Sequence, residues 1–178
     1  MPTHDELIRL CAGRWQIPLL ALASAGDGLR FAEAVRRLGL ARGVARASFD
    51  ALIEGGWLAR NPGHGHPLRP EYVLTPEGRA AGPWCEAVMR ARDALGLAPD
   101  ALTRWSLPLL VELGDGEARF GTLAERLAPV SPRALSLTLK AALAEALVTR
   151  ALQDSFPPVA VYALTGRGGR LVEAATGR

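Results

Sequence analysis

Cysteine, lysine and histidine are nearly missing from this 178-residue chain, and no run of it approaches the roughly 20 apolar residues that span a bilayer. Two cysteines, Cys11 and Cys85, are too few for a disulfide framework and lack the spacing of a zinc site. They read as small buried apolar groups. Of the three histidines, His64 and His66 flank a glycine in a loop and His4 stands far off, so no metal is expected. The start MPTHDELIRL has no basic-then-apolar leader pattern, which predicts a cytoplasmic protein. No Ser/His/Asp arrangement and no glycine-rich phosphate loop after a strand is present, and the carboxylates stand singly on helix surfaces. A non-enzyme without cofactor is therefore expected. All but one of the 21 cationic residues are arginine, the exception being Lys140, and 18 carboxylates are spread among them. The resulting charge of +3 permits a nucleic-acid partner without requiring one.

What the chain does have is a repeat of about 90 residues. Arg14-Trp15-x-x-Pro18-Leu19-Leu20 returns as Arg104-Trp105-x-x-Pro108-Leu109-Leu110, and Arg30-Phe31 returns as Arg119-Phe120. Trp57-Leu58-Ala59-Arg60 corresponds to Leu147-Val148-Thr149-Arg150, Tyr72-Val73-Leu74-Thr75 to Tyr162-Ala163-Leu164-Thr165, and Gly78 to Gly168. Two copies are too few for a solenoid. They predict two homologous domains, residues 1–90 and 91–178.

Apolar spacing and punctuation give the order within each copy. A first helix carries Trp15, Leu19, Leu20 and Ala23, matched by Trp105, Leu109, Leu110 and Leu113. A second runs from Phe31 to Leu38, matched by Phe120 to Leu127. The third is capped in copy two by Ser131 with Pro132 at the first helical position. Its core face is Leu135, Leu139, Ala142 and Leu143, and in copy one Val44, Phe49, Leu52 and Ile53. Strands are expected at Trp57 to Arg60 and Leu147 to Leu152, returning at Glu71 to Leu74 and Val159 to Leu164, each return strand followed by a capping Thr. Residues 76–98 read as a linking helix with Trp84, Val88, Ala91 and Leu95 on one stripe. Helix, helix, turn, helix, hairpin is the order of a winged helix-turn-helix. The expected fold is mainly α with small β-hairpin wings (α+β).

Four motifs in the same order, met twice, resemble the HxlR family of bacterial winged-helix regulators. Its Gly-Lys-Trp start is similar to Gly13-Arg14-Trp15 and Thr103-Arg104-Trp105. Its Arg-Phe-x-Glu-Leu signature is similar to Arg30-Phe31-Ala32-Glu33-Ala34 and, more loosely, Arg119-Phe120-Gly121-Thr122-Leu123. Its recognition helix resembles Val130-Ser131-Pro132-Arg133-Ala134-Leu135, and its closing Glu-Tyr-x-Leu-Thr-x-x-Gly resembles Glu71 to Gly78. Typical members are single modules that dimerise through terminal helices, so the resemblance implies that this tandem forms an internal pseudo-dimer. Some members sense oxidants through a cysteine well upstream of the tryptophan. Cys11 lies only four residues before Trp15, and that role is not carried over.

A recognition helix reads base edges from its N-terminal part while the flanking turn meets phosphates. In copy two the candidates are Ser131, Arg133, Ser136, Leu137 and Lys140, with Arg133 suited to guanine and Lys140 or Ser131 to phosphate. Leu137 fits either a thymine methyl or a protein partner. In copy one they are Arg42, Gly43, Arg46, Ala47 and Asp50, where Arg42 and Arg46 lie one turn apart and form the better basic patch, while Gly43 weakens the helix start and Asp50 repels phosphate. The first wing offers Arg60, His64, His66 and Arg69 to the backbone or minor groove, whereas the second has Asp154 and Phe156. Arg30 and Arg119 either touch phosphate or pair with a carboxylate. Trp15, Trp84 and Trp105 either fill cores or stack a flat effector. The leading expectation is a regulator reading double-stranded DNA through two non-identical heads, with or without a small-molecule effector, as a monomeric pseudo-dimer or homodimer. The rival is a tandem winged-helix adaptor that binds protein.

Overall fold

A computed structural model describes residues 2–26, 28–61, 71–98, 101–154, 156 and 158–177. The chain divides into two compact units, one of Ala12–Arg90 and one of Ala91–Arg178 together with Thr3–Cys11.

The first unit opens with α2 (Gln16–Ala25), which buries Ile17, Leu19, Leu20 and Ala23. Strand β1 (Leu29–Arg30) leads into α3 (Phe31–Leu38), ended by Gly39 in the left-handed region. The third helix, α4 (Arg42–Glu54), precedes the hairpin of β2 (Leu58–Arg60) and β3 (Glu71–Leu74), and α5 (Pro76–Ala94) follows. The sheet has the order β1-β3-β2, all antiparallel. Phe49 of α4 stacks on Tyr72 of β3 with ring centroids 4.1 Å apart and meets Phe31 of α3 at 5.8 Å. Three elements are thus pinned to one another by aromatic contact.

The second unit repeats this order: α6 (Ser106–Leu113), β4 (Ala118–Arg119), α7 (Phe120–Arg126), α8 (Pro132–Ala144), β5 (Val148–Gln153), β6 (Val159–Leu164) and α9 (Gly166–Thr176). Its sheet is β4-β6-β5, again antiparallel. Helix α6 is apolar nearly all round and lies against α7, α8, α9 and β6. Thr165 caps α9 by accepting from the Gly168 amide at 3.0 Å, as Thr75 accepts from Gly78 at 3.0 Å in the first unit. Helix–strand–helix–helix–hairpin is the order of a winged helix.

Three readings of the sequence need correcting. Val44 is 43% exposed, and the buried face of α4 is Ala45, Phe49 and Leu52. A small alanine occupies the inward position there, so apolar patterning pointed one residue too early. The linking helix stops at Ala94 rather than residue 98, because Gly96 adopts φ +62°, a conformation that ends helices. Residues 4–10 form a further helix, α1 (His4–Leu10), capped by a reciprocal Thr3–Glu6 pair. It buries Leu7 and Leu10, lies against α6 and so belongs with the second unit, not with the residues that follow it in sequence.

Candidate nucleic-acid interface

Helix α8 is built to present one face outward. Ser131 Oγ accepts from the Ala134 amide at 3.2 Å and Pro132 opens the helix, satisfying an end amide and fixing the first turn. Leu135, Thr138, Leu139 and Ala142 recur at helical spacing and are buried. Thr138 is satisfied inside, donating to the Ala134 carbonyl at 2.9 Å and lying 3.3 Å from the Thr103 hydroxyl ahead of α6. By the same period the opposite stripe is Arg133, Leu137 and Lys140, with Ser136 beside it, and all four are exposed. The sequence-predicted residues of this helix therefore come together on one solvent face.

Helix α4 differs at the equivalent positions. Its N-cap is Ala41, which makes no side-chain hydrogen bond, and its outward stripe is Gly43, Ala47, Asp50 and Glu54. Arg42 and Arg46 are exposed but flank that stripe rather than occupy it. Where α8 has Lys140, α4 has Asp50. Burial pushes the Tyr72 hydroxyl above its ordinary pKa, while Arg60 and Arg46 pull it down and Asp50 pushes it up. Arg46, Asp50 and Arg60 thus share one neighbourhood around β3, where a carboxylate offsets two cations.

Each hairpin carries an exposed arginine at the same place. Arg60 on β2 pairs in register with Tyr72, and Arg150 on β5 pairs with Tyr162. Arg150 was missed as a site residue, although its match to Arg60 in the repeat was the available signal. His64, His66 and Arg69 lie outside the described residues. On the second wing, Leu152 and Phe156 are exposed apolar side chains, with Asp154 exposed between them in sequence.

Several arginines have structural partners. Arg30 Nε lies 3.5 Å from Glu71 Oε1, the carboxylate pairing, and Asn61 donates to the same carboxylate at 2.8 Å. The Arg30 side chain remains 67% exposed, and such a pair contributes only about 0–1 kcal/mol. Arg119 donates to Gln153 Oε1 at 3.0 Å, and Gln153 donates to Glu117 at 3.2 Å, tying β4 to the end of β5. Arg167 donates to the carbonyls of Leu95 and Glu145 at 2.6 and 3.1 Å. The guanidinium groups of Arg14 and Arg104 sit 5.1 and 5.2 Å from the ring centroids of Trp15 and Trp105, which gives the repeated Arg-Trp pair a packing role in both units.

Trp84 and Trp105 are buried and Trp15 is half-buried under Arg14. Trp15 and Trp84 belong to the first unit and Trp105 to the second. An open cleft of about 490 Å³ in the second unit is instead lined by His4, Glu112, Glu117 and Arg126 among others. Burial pushes the Cys11 thiol up to about 12, the opposite of what a reactive thiolate requires, and Cys85 is fully buried. Among the described residues no helix is long and apolar enough to cross a membrane.

Residues 102–176 match the family model of the HxlR-like helix-turn-helix. Among solved structures, a transcriptional regulator of the MarR family from Enterococcus faecalis V583 is 27% identical, with a TM-score of 0.42 over 51% of this chain and 77% of that one. The reduced form of the transcriptional regulator YodB from B. subtilis is 22% identical, with a TM-score of 0.38 over 56% of this chain and 81% of that one. No curated protein matches the chain. The matched residues span the second module, from α6 to α9 with its three-stranded sheet.

Proposed function

We propose that this chain is a transcriptional regulator that reads double-stranded DNA, with α8 as its principal reading helix and α4 as a second, weaker one. The observation that carries this is the outward stripe of α8, where Arg133, Ser136, Leu137 and Lys140 are exposed together on the third helix of an HxlR-like module. Arginine offers two parallel donors to the O6 and N7 of guanine, while lysine and hydroxyl groups satisfy phosphate oxygens. Arg150 on the hairpin adds a cation suited to the backbone. With two modules in one chain, two half-sites are addressed without a second copy, and their centres are expected about one helical turn, roughly 10 bp, apart. Because α4 and α8 differ, the site is asymmetric.

The test is a gel shift of the full chain on fragments upstream of its own coding region, across a salt series. Two phosphate contacts alone predict about a tenfold loss of affinity between about 50 and 200 mM salt. Absent or salt-insensitive binding to every fragment contradicts the reading.

A second reading, an adaptor that binds protein, is favoured by Leu152 and Phe156 on the second wing and by Asp50 and Glu54 on α4. Substituting Arg42, Arg46, Arg133 and Lys140 by alanine separates the two, since an adaptor keeps its partner and a DNA reader loses its site.

A further inference from the structure

We infer that Leu137 packs on the 5-methyl group of a thymine in the DNA that α8 reads, and so distinguishes T·A from other base pairs at that step. This rests on the DNA reading above and extends it to a specificity residue. Leu137 is 58% exposed at the middle of the outward stripe, one turn after Arg133 and one turn before Lys140, with Ser136 at its side. A leucine there forgoes the burial that Leu135 and Leu139 obtain two residues away on either side. It serves no cap and terminates no core.

Its surroundings limit what can cover it. Arg133 before it and Lys140 after it suit an occupant that offers hydrogen-bond acceptors, a guanine edge and a phosphate, on either side of a small apolar protrusion. The major groove offers this arrangement, because acceptor base edges lie beside phosphates there and the thymine methyl is the one apolar group those edges display. Ala47 takes the equivalent place on α4, with Asp50 in place of Lys140. The first module therefore lacks both the leucine and its cationic frame, and the methyl preference belongs to one half-site only.

The full chain is used to select duplexes from a random 30-base-pair pool, and the selected duplexes are remade with deoxyuridine replacing one thymine at a time. Uracil keeps the hydrogen-bonding edges and removes only the methyl. One or two positions are expected to lose about fourfold in affinity, the factor corresponding to one buried methyl group. Leu137→Ala and Leu137→Gln are expected to bind the thymine and uracil forms equally, while Leu152→Ala keeps the discrimination. Leu137 is exposed, so thermal melting should be unchanged in its variants. Selected duplexes with no uracil-sensitive position overturn the inference while leaving DNA binding intact. Discrimination that survives in Leu137→Ala does the same. If no duplex is enriched, the DNA reading falls and the inference with it, and a protein partner covering Leu137 becomes the account of its exposure.

Discussion

Ala146 adopts φ +52° where its counterpart Gly56 adopts φ +81°. Both follow a third helix, and both carbonyls receive the hydroxyl of the capping threonine, Thr165 at 2.7 Å and Thr75 at 2.6 Å. The left-handed region costs a residue with a Cβ about 1 kcal/mol that glycine does not incur. Ala146→Gly is therefore expected to raise the stability of the second module by about 1 kcal/mol, read as a higher thermal midpoint; an unchanged or lower midpoint would count against the strain. The repeated pair Gly78 and Gly168 was legible in the sequence, but its reason was not. A Cβ at either position would collide with a backbone carbonyl, of Trp57 or Leu147 respectively, and that approach exists only after the helix has folded onto the hairpin. Likewise the sequence exposed the difference between Asp50 and Lys140, while the stripe each occupies had to come from the fold.

At the scale of elements, α8 was the most legible because its start is written locally. Ser131 and Pro132 satisfy an amide and preset a dihedral before any tertiary contact forms. Ser131→Ala should cost about 1 kcal/mol of stability, measurable by urea denaturation, and an equal midpoint for the two proteins would remove the cap from the account. Helix α4 has no such cap, and its inward face was misassigned by one residue at Val44 because the inward position holds the small Ala45. The two-residue strands β1 and β4 were missed altogether. Leu29–Arg30 and Ala118–Arg119 carry no periodicity of their own, and become strands only by pairing with β3 and β6, more than 40 residues later. Helix α1 had a readable signal in Thr3-x-x-Glu6, but its packing against α6 is a long-range contact that no local pattern announces.

For the whole molecule, the repeat pointed to two modules of one internal order, and between the third helices the inward positions recur while the residues differ, Ala45, Phe49 and Leu52 standing where Leu135, Leu139 and Ala142 stand. It did not reveal that Thr3–Cys11 completes the second unit, because contiguous reading assigns a terminus to its neighbour in sequence. Nor did it place the outward stripes of α4 and α8. Arg42 and Arg46, the better basic patch by sequence, are exposed on the helix and flank an outward stripe containing Asp50 and Glu54. The central claim is that α8 does most of the DNA reading. The most direct test compares Arg133→Ala/Lys140→Ala with Arg42→Ala/Arg46→Ala on one selected duplex, measuring affinity against salt for each full-length protein. The account predicts that the α8 pair loses at least tenfold in affinity and that its salt slope falls by about 1 for each phosphate contact removed, with a smaller loss for the α4 pair. Equal losses, or a larger loss for the α4 pair, would contradict it.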